Sequence, residues 1–433
     1  MMAWTGRARV HTDRTRPCGR RRGCRRPGRC DSVLTMPVAD LDAWVERADR
    51  LAATFAATAA RHDREASFPH EHVAAARADG WPALAVPGSL GGAGASLHDV
   101  CLLQERLGRG DASSALGLGM HHMAIGSPGP AHTGWPAPVY EALCARVVAE
   151  GALLNTLASE PEQGSPARGG IPATTAVHRD GGWVLEGRKT WSTWLPALTH
   201  AVVTARVERP DAGPAVAAFV VDLSLRGVGR DPTFDALGLR ATASGALLLD
   251  GVRVGEDALL HLREPAEQDP RGPAVPAWFQ LTSAAAYTGC AHAARDEVAR
   301  FCRERRPNAM GEPISTLPTV RLRLGRIDGA VRTARLLVLA AARAWDEAPV
   351  AERAALLPEI GTVKVQATQL AWQAVEEAMR LAGGPGMLRE LSLERHWRDV
   401  RGGLIHPPLE DLHWLSLGAA LAEGAGGDGR AVL

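Results

Sequence analysis

Between residues 153 and 260 the hydrophobic pattern of this 433-residue chain changes its period, and that change limits the folds open to it more than any other feature. The apolar runs there are short and β-prone: His200-Ala201-Val202-Val203-Thr204-Ala205, residues 215–223, and Ala246-Leu247-Leu248-Leu249 followed by Gly251-Val252-Arg253-Val254. Gly, Pro and Asp separate them, which reads as short strands closing a compact β-barrel or sandwich. On both sides the apolar residues recur at helical spacing instead. Leu41, Trp44 and Val45 begin an i, i+3, i+4 stripe, and Leu370, Ala374, Ala378 and Ala382 mark one face of a packed bundle helix. The expected chain is α+β, with an N-terminal α-helical domain (38–152), a central β domain (153–262) and a C-terminal four-helix bundle (263–433).

Punctuation sharpens this outline. Ser67-Phe68-Pro69 followed by Glu71 marks a helix start, and the glycine loop 88–96 a break. Small residues dominate a helix at 115–126 that carries Met120-His121-His122-Met123. Residues 261–275, rich in Pro, Asp and Glu, read as a linker. Beyond it, helices are expected at 278–305, 317–345 and 356–381, with 389–401 and 410–422 together making the fourth.

The formal charge of +1 conceals an uneven distribution, because residues 1–30 hold ten Arg and one Asp. This Arg-rich leader (1–37) has almost no apolar periodicity and is expected to be disordered. A nucleic-acid arm, a targeting peptide and a translation start at Met36 are the readings it leaves open, and the last is preferred. No run of eighteen apolar residues exists, so no membrane span is expected. The seven Cys are an odd number without a signal peptide, which points to reduced thiols and a cytoplasmic location. No cluster of His, Cys and carboxylates has the spacing of metal ligands, and no metal is expected. Only Lys189 and Lys364 are lysines, against a large excess of Arg.

The stretch from 155 to 194 carries the chemistry. Ser159-Glu160-Pro161 through Gly164-Ser165 is a polar loop with Pro and Gly where a backbone turns close to a ligand. Gly181-Gly182-Trp183-Val184-Leu185-Glu186-Gly187-Arg188-Lys189-Thr190-Trp191-Ser192-Thr193 gives a turn, a β-prone run and a Trp-x-Thr ending, together a hairpin with a loop beside it. The pair resembles the flavin-binding signature of the acyl-CoA dehydrogenase superfamily, a Thr-Glu-Pro-x-x-Gly-Ser loop followed by a Gly-Lys-x-Trp-Ile-Thr strand. The resemblance implies that Trp191 packs on a flavin ring, that the Thr193 hydroxyl bonds its N5, that Ser159 faces its pyrimidine end and that Ser165 contacts substrate. It extends over residues 40–425. Phe-Pro-x-Glu at 68–71 and the glycine loop match the superfamily's N-terminal helices, whose later helix, here with His121, borders the substrate. Gly383-Gly384-Pro385-Gly386 followed by Glu394-Arg395 and Arg398-Asp399 resembles the turn and helix that approach the FAD pyrophosphate of a neighbouring subunit. Arg306 stands, one residue out of register, where a pyrophosphate arginine is found.

The chain departs from the superfamily where a dehydrogenase keeps its base. The Glu of Ile-Tyr-Glu-Gly-Thr would take the α-proton of a thioester. Here that position is Pro407, within Ile405-His406-Pro407-Pro408-Leu409. A position on the first bundle helix that carries a substrate-side Arg in many members is Gln280. Two explanations stay open: Glu410 or Asp411 supplies a displaced base, or the enzyme is similar to the superfamily's monooxygenases, with His406 and His121 in the pocket. A catalytically silent flavin-binding homologue is a third. The dehydrogenase form is preferred, because the Ser-Glu-Pro loop is close to the dehydrogenase signature. The resemblance further implies FAD, a small-molecule substrate and a homodimer or homotetramer, with no role for nucleic acid.

Overall fold

The computed structural model describes residues 40–162, 170–209 and 212–424. The Arg-rich leader, Ser165 and Gly164 lie outside them. Among the described residues, the α-helices before the sheet are α1 (Leu41–Glu65), α2 (His70–Ala78), α3 (Leu97–Gly110), α4 (Ala112–Gly126) and α5 (Ala137–Glu150). Their starts follow local chemistry. Asp40 caps α1 through the Ala43 N–H, and Ser96 and Asp99 form a reciprocal capping box at α3. The Asp111 carboxylate accepts from the backbone N–H and the hydroxyl of Ser114 at the start of α4.

Every residue of α4 is buried, as expected of a helix apolar all round. Its glycines permit this. A Cβ at Gly117 would sit 2.2 Å from the Trp194 indole, and one at Gly126 would sit 2.5 Å from Trp278.

Among the described residues the strands are β1 (Leu154–Leu157), β2 (Thr175–Arg179), β3 (Gly182–Lys189), β4 (His200–Val207), β5 (Ala215–Asp222), β6 (Val228–Asp231), β7 (Ala246–Gly255) and β8 (Leu259–Arg263). They form one sheet in the order β6-β7-β3-β2-β4-β5-β8, with β1 parallel to β4. The β2–β3 hairpin turns on Asp180 and Gly181, both at positive φ, as a two-residue Asp-Gly turn requires. Strand β8 occupies the first part of the segment expected to be a linker, because Leu259–Arg263 pairs with β5.

Three long helices follow: α6 (Ala274–Glu304), α7 (Pro318–Glu347) and α8 (Leu357–Ala382). The fourth position is filled by short helices, α9 (Leu393–Val400), α10 (Gly402–Ile405) and α11 (Glu410–Ala422). The chain changes direction after α10 through a cis Pro407–Pro408 bond. Missing side chains let α3 and α6 touch backbone to backbone: a Cβ at Gly289 would lie 2.1 Å from the Glu105 carbonyl. Buried Glu105 then ties three helices together, accepting from Arg109 at 2.9 Å, Arg335 at 2.7 Å and His292 at 3.0 Å. Arg398 of α9 forks onto Asp63 of α1 at 2.7 and 2.6 Å, joining the last helices to the first. The four cysteines among the described residues, Cys101, Cys144, Cys290 and Cys302, are buried thiols without disulfides. No helix among these residues is long and apolar enough to cross a membrane, and no group of three His, Cys, Asp or Glu there is arranged to hold a metal.

Candidate active site

The segment after β3 leaves the sheet in an unusual conformation. Trp191 and Trp194 both have positive φ, at 56° and 63°, a region bulky residues rarely enter. Such strain persists only where the surroundings impose it. Here backbone bonds hold the segment on both sides: Thr190 N–H to the Ser159 carbonyl at 2.9 Å, Ser192 N–H to Gly245 at 3.1 Å and Trp194 N–H to Thr242 at 2.9 Å. The Asn155 amide donates to the Thr193 carbonyl at 3.2 Å. The two indoles go opposite ways. Trp194 is buried against α4, whereas Trp191 is 60% exposed and meets Phe234 edge-on at 5.6 Å.

Ser159, Trp191 and Thr193 are thus brought together as expected. The Thr193 hydroxyl lies 3.0 Å from that of Ser244, which lies 2.8 Å from that of Thr242. An exposed aromatic face beside this row of hydroxyls fits a flavin, whose ring is flat and apolar on its faces and carries nitrogen and carbonyl acceptors at its edge. Beneath the loop Glu160 is fully buried. It accepts from Lys189 Nζ at 2.6 Å, from Ala173 N–H at 2.5 Å and from Thr174 N–H at 3.1 Å. Burial works to raise the Glu160 pKa, but Lys189 and the two N–H groups prevail and hold it below the usual carboxylate value.

The segment 238–244 links this wall to the helices. A Cβ at Gly238 would lie 2.5 Å from the Arg398 backbone, and Leu239 N–H donates to the Asp399 carboxylate at 2.5 Å. Burial raises the pKa of Asp399 to about 7. Leu239 also packs against Gly402, where a Cβ would lie 2.5 Å from both Leu239 Cδ1 and the Tyr287 hydroxyl. That hydroxyl is 3.2 Å from His406 Nδ1, and the Phe279 ring stands 5.6 Å from the imidazole. Among the described residues, His406 Nε2 has no hydrogen-bond partner. Burial, then the charge of Lys364, push the pKa of His406 down to about 4, so the ring is neutral at pH 7. The donor in the Tyr287–Nδ1 contact is set by the imidazole tautomer, and the tautomer with its proton on Nε2 is the one in which the tyrosine hydroxyl donates.

Two expected site residues are placed otherwise. His121 is corrected to a structural histidine: Nε2 bonds the Pro82 carbonyl at 2.8 Å, and Nδ1 accepts from Leu154 N–H at 3.1 Å. Both ring nitrogens stitch α4 to its neighbours, and burial, then His122, push its pKa down to about 3. Glu410 is also engaged, with one oxygen accepting from Gln369 Nε2 and the other from Trp414 Nε1 at 3.2 Å. Gln280 keeps a buried Oε1 without a hydrogen-bond partner. Gly383 and Gly384 end α8 on an exposed surface, and Arg306 is exposed just beyond α6. Tyr287, Ser244, Asn155 and the two lysines were not singled out by sequence reasoning. A buried lysine is rare, and the presence of only two lysines in so Arg-rich a chain is the signal that could have drawn attention to Lys189 and Lys364.

Comparison with known proteins agrees with this geometry. The profile "Acyl-CoA dehydrogenase, N-terminal domain" matches residues 39–134, the middle domain 155–252 and the C-terminal domain 281–410. The putative acyl-CoA dehydrogenase YdbM of Bacillus subtilis is 38% identical over 368 residues, 85% of this chain and 93% of that protein. The short-chain specific acyl-CoA dehydrogenase of Bos taurus mitochondria is 29% identical, covering 79% of this chain and 80% of its own. Among solved structures, KijD3 in complex with FMN and dTDP-3-amino-2,3,6-trideoxy-4-keto-3-methyl-D-glucose superposes with a TM-score of 0.78 at 26% identity, covering 92% of this chain and 97% of that one. The Trp191–Thr193 wall, the three consecutive domain matches and the extent of these likenesses lead to one conclusion: the chain belongs to the acyl-CoA dehydrogenase family of flavin enzymes.

Proposed function

We propose that this enzyme is a flavin-dependent monooxygenase acting on a small substrate with an oxidisable sulfur, nitrogen or electron-rich aromatic carbon. The observation that carries the reading is the segment 405–408. A proline occupies the family's base position, and the ionisable side chain beside it is neutral His406, backed by Tyr287. A proline cannot accept a proton, and both oxygens of Glu410, the carboxylate that would have to supply a displaced base, are already engaged. The KijD3 structure, in complex with FMN and an amino-keto sugar nucleotide, supports a flavin site in this fold that admits a small substrate other than an acyl thioester.

Reduced flavin would supply the two electrons that activate O₂, one oxygen atom passing to substrate and the other leaving as water. The protein's own share is positional. Trp191 offers a face to the ring, and the hydroxyls of Thr193, Ser244 and Thr242 with Ser159 offer edge partners. His406 holds a proton at Nε2 toward the reacting oxygen or substrate, while Tyr287 fixes its tautomer and ring orientation. Phe279 and Leu239 narrow the access of water beside it.

Gly383, Gly384 and Arg306 remain the candidate contacts for an FAD pyrophosphate shared with a second copy of the chain. FMN has no pyrophosphate, so weighing the extracted flavin shows whether these residues have a ligand. A second reading, dehydrogenation of an acyl thioester, is favoured by the Ser159-Glu160-Pro161 loop and by YdbM, and requires Glu410 to leave Gln369 and Trp414.

The deciding experiment supplies reduced flavin and ¹⁸O₂ with a panel of thioethers, sulfinates, arylamines and indoles. One ¹⁸O atom in product, lost with His406→Ala and retained with Glu410→Gln, supports monooxygenation. Hydrogen peroxide as the sole product with every substrate counts against it.

A further inference from the structure

We propose that Lys364 is the positioning residue for His406, holding its loop from beneath as a buried ammonium; the inference rests on the role given to His406 above. The chain contains 49 basic residues besides histidine, and only Lys189 and Lys364 are lysine. Both are buried, at 0% and 1% exposure. Lys189 holds the loop of Ser159 through Glu160, and Lys364 stands in the same relation to the loop of His406.

Its Nζ, rising from α8, donates to the carbonyls of His406 and, at 3.1 Å, of Pro408. The loop needs such a donor. Pro407 and Pro408 have no N–H to offer, and an unpaired buried carbonyl is costly. Space favours lysine over arginine. A Cβ at Gly361, one turn before Lys364, would meet the His413 ring of α11 at 2.5 Å, so α8 and α11 are already in close contact there. A compact ammonium with three rotatable donors fits between two carbonyls where a planar fork does not. The groups facing this point are Tyr287 from α6, Lys364 from α8, and Glu410 and His413 from α11. Of these, Lys364 is the cation that disfavours a protonated His406, and Glu410 offsets the burial of the ammonium. Lys364 therefore fixes the position of the loop carbonyls and adds to the burial that keeps the imidazole neutral.

The test uses full-length Lys364→Met, Lys364→Gln and Lys364→Arg, none read through turnover. Hydrogen exchange in peptides covering 402–410 reports the loop, the His406 Cε1–H titration reports the charge, and flavin fluorescence quenching reports the site. With Lys364→Met, exchange at 402–410 is expected to rise tenfold or more and the His406 titration to move up toward the ordinary imidazole range, with flavin affinity within about twofold. Lys364→Arg keeps the titration low yet leaves the loop fast. Should the Met variant fail to fold, Lys364→Gln retains an amide donor without charge, and the upward titration alone is expected. Unchanged loop exchange and unchanged titration in the folded variants overturn the proposal. If wild-type enzyme oxygenates nothing while these shifts occur, the functional reading fails and the clamp stands.

Discussion

Replacing Lys189 by Met tests whether the wall of the site is built on a buried ion pair. In the wild type Nζ lies 2.6 Å from Glu160 Oε1, both side chains are 0% exposed, and Thr204 Oγ1 stands 3.3 Å from the ammonium. Methionine nearly conserves the volume, so the perturbation is electrostatic. It strands a carboxylate that keeps only the Ala173 and Thr174 N–H groups. Leaving one buried charge without its partner costs about 3–5 kcal/mol. Adding Glu160→Gln removes that charge, so the double variant should recover at least about 2 kcal/mol relative to the sum of the singles. Urea unfolding of the four proteins gives the cycle. Because Ser159 precedes Glu160 and binds Thr190 through its carbonyl, flavin affinity should fall about tenfold in the single variant, equivalent to about 1.4 kcal/mol. If Lys189→Met lies within about 1 kcal/mol of wild type and binds flavin normally, the pair is not what holds the wall.

Trp191→Ala should weaken flavin binding while barely changing stability, since the indole is mostly exposed, and fluorescence titration checks both. Thr193→Val should slow flavin reduction or reoxidation with little loss of bound flavin, read by stopped-flow absorbance. Gly117→Val drives a side chain into Trp194 and should cost about 1–3 kcal/mol, read by urea unfolding. Acid should destabilise the fold before the carboxylates titrate. His121, His122 and half-buried His406 have folded pKa values of about 3, 4 and 4 against an unfolded 6.5, so the unfolded state binds their protons first. Their contribution is complete above pH 6.5 and is lost as pH falls toward 4, at up to about 1.4 kcal/mol per pH unit for each fully buried ring. Asp399, raised to about 7, opposes this by one proton between about pH 4 and 7. Urea midpoints at pH 7.5, 6 and 5 should therefore decrease, and a flat profile contradicts the burial of these rings.

Much of the fold was legible because periodicity and punctuation agreed. The β-prone runs became β4, β5 and β7, and Asp180-Gly181 turned the hairpin as its residue types demand. The Trp-x-Thr ending was legible as the close of a strand and, by resemblance, as a candidate flavin contact, although nothing in its spacing foretold that two tryptophans would sit at positive φ. His121 misled for a physical reason: a histidine on a small-residue helix has the same sequence whether its nitrogens face a ligand or the carbonyl and N–H of buried backbone. The partners of Glu410, Gln369 and Trp414, were likewise invisible in the sequence, since they come together only when α8 and α11 pack. The roles of Tyr287 and Lys364 depend on contacts more than forty residues apart, which local pattern does not carry.

The central claim is that the pocket lacks a base for thioester desaturation. The most direct test is anaerobic mixing of the oxidised flavoprotein with a panel of acyl-CoA thioesters while following the flavin absorbance. The account predicts that the flavin stays oxidised with every thioester. Bleaching by any one of them would show that a base reaches the α-proton despite Pro407, and would return the enzyme to dehydrogenation.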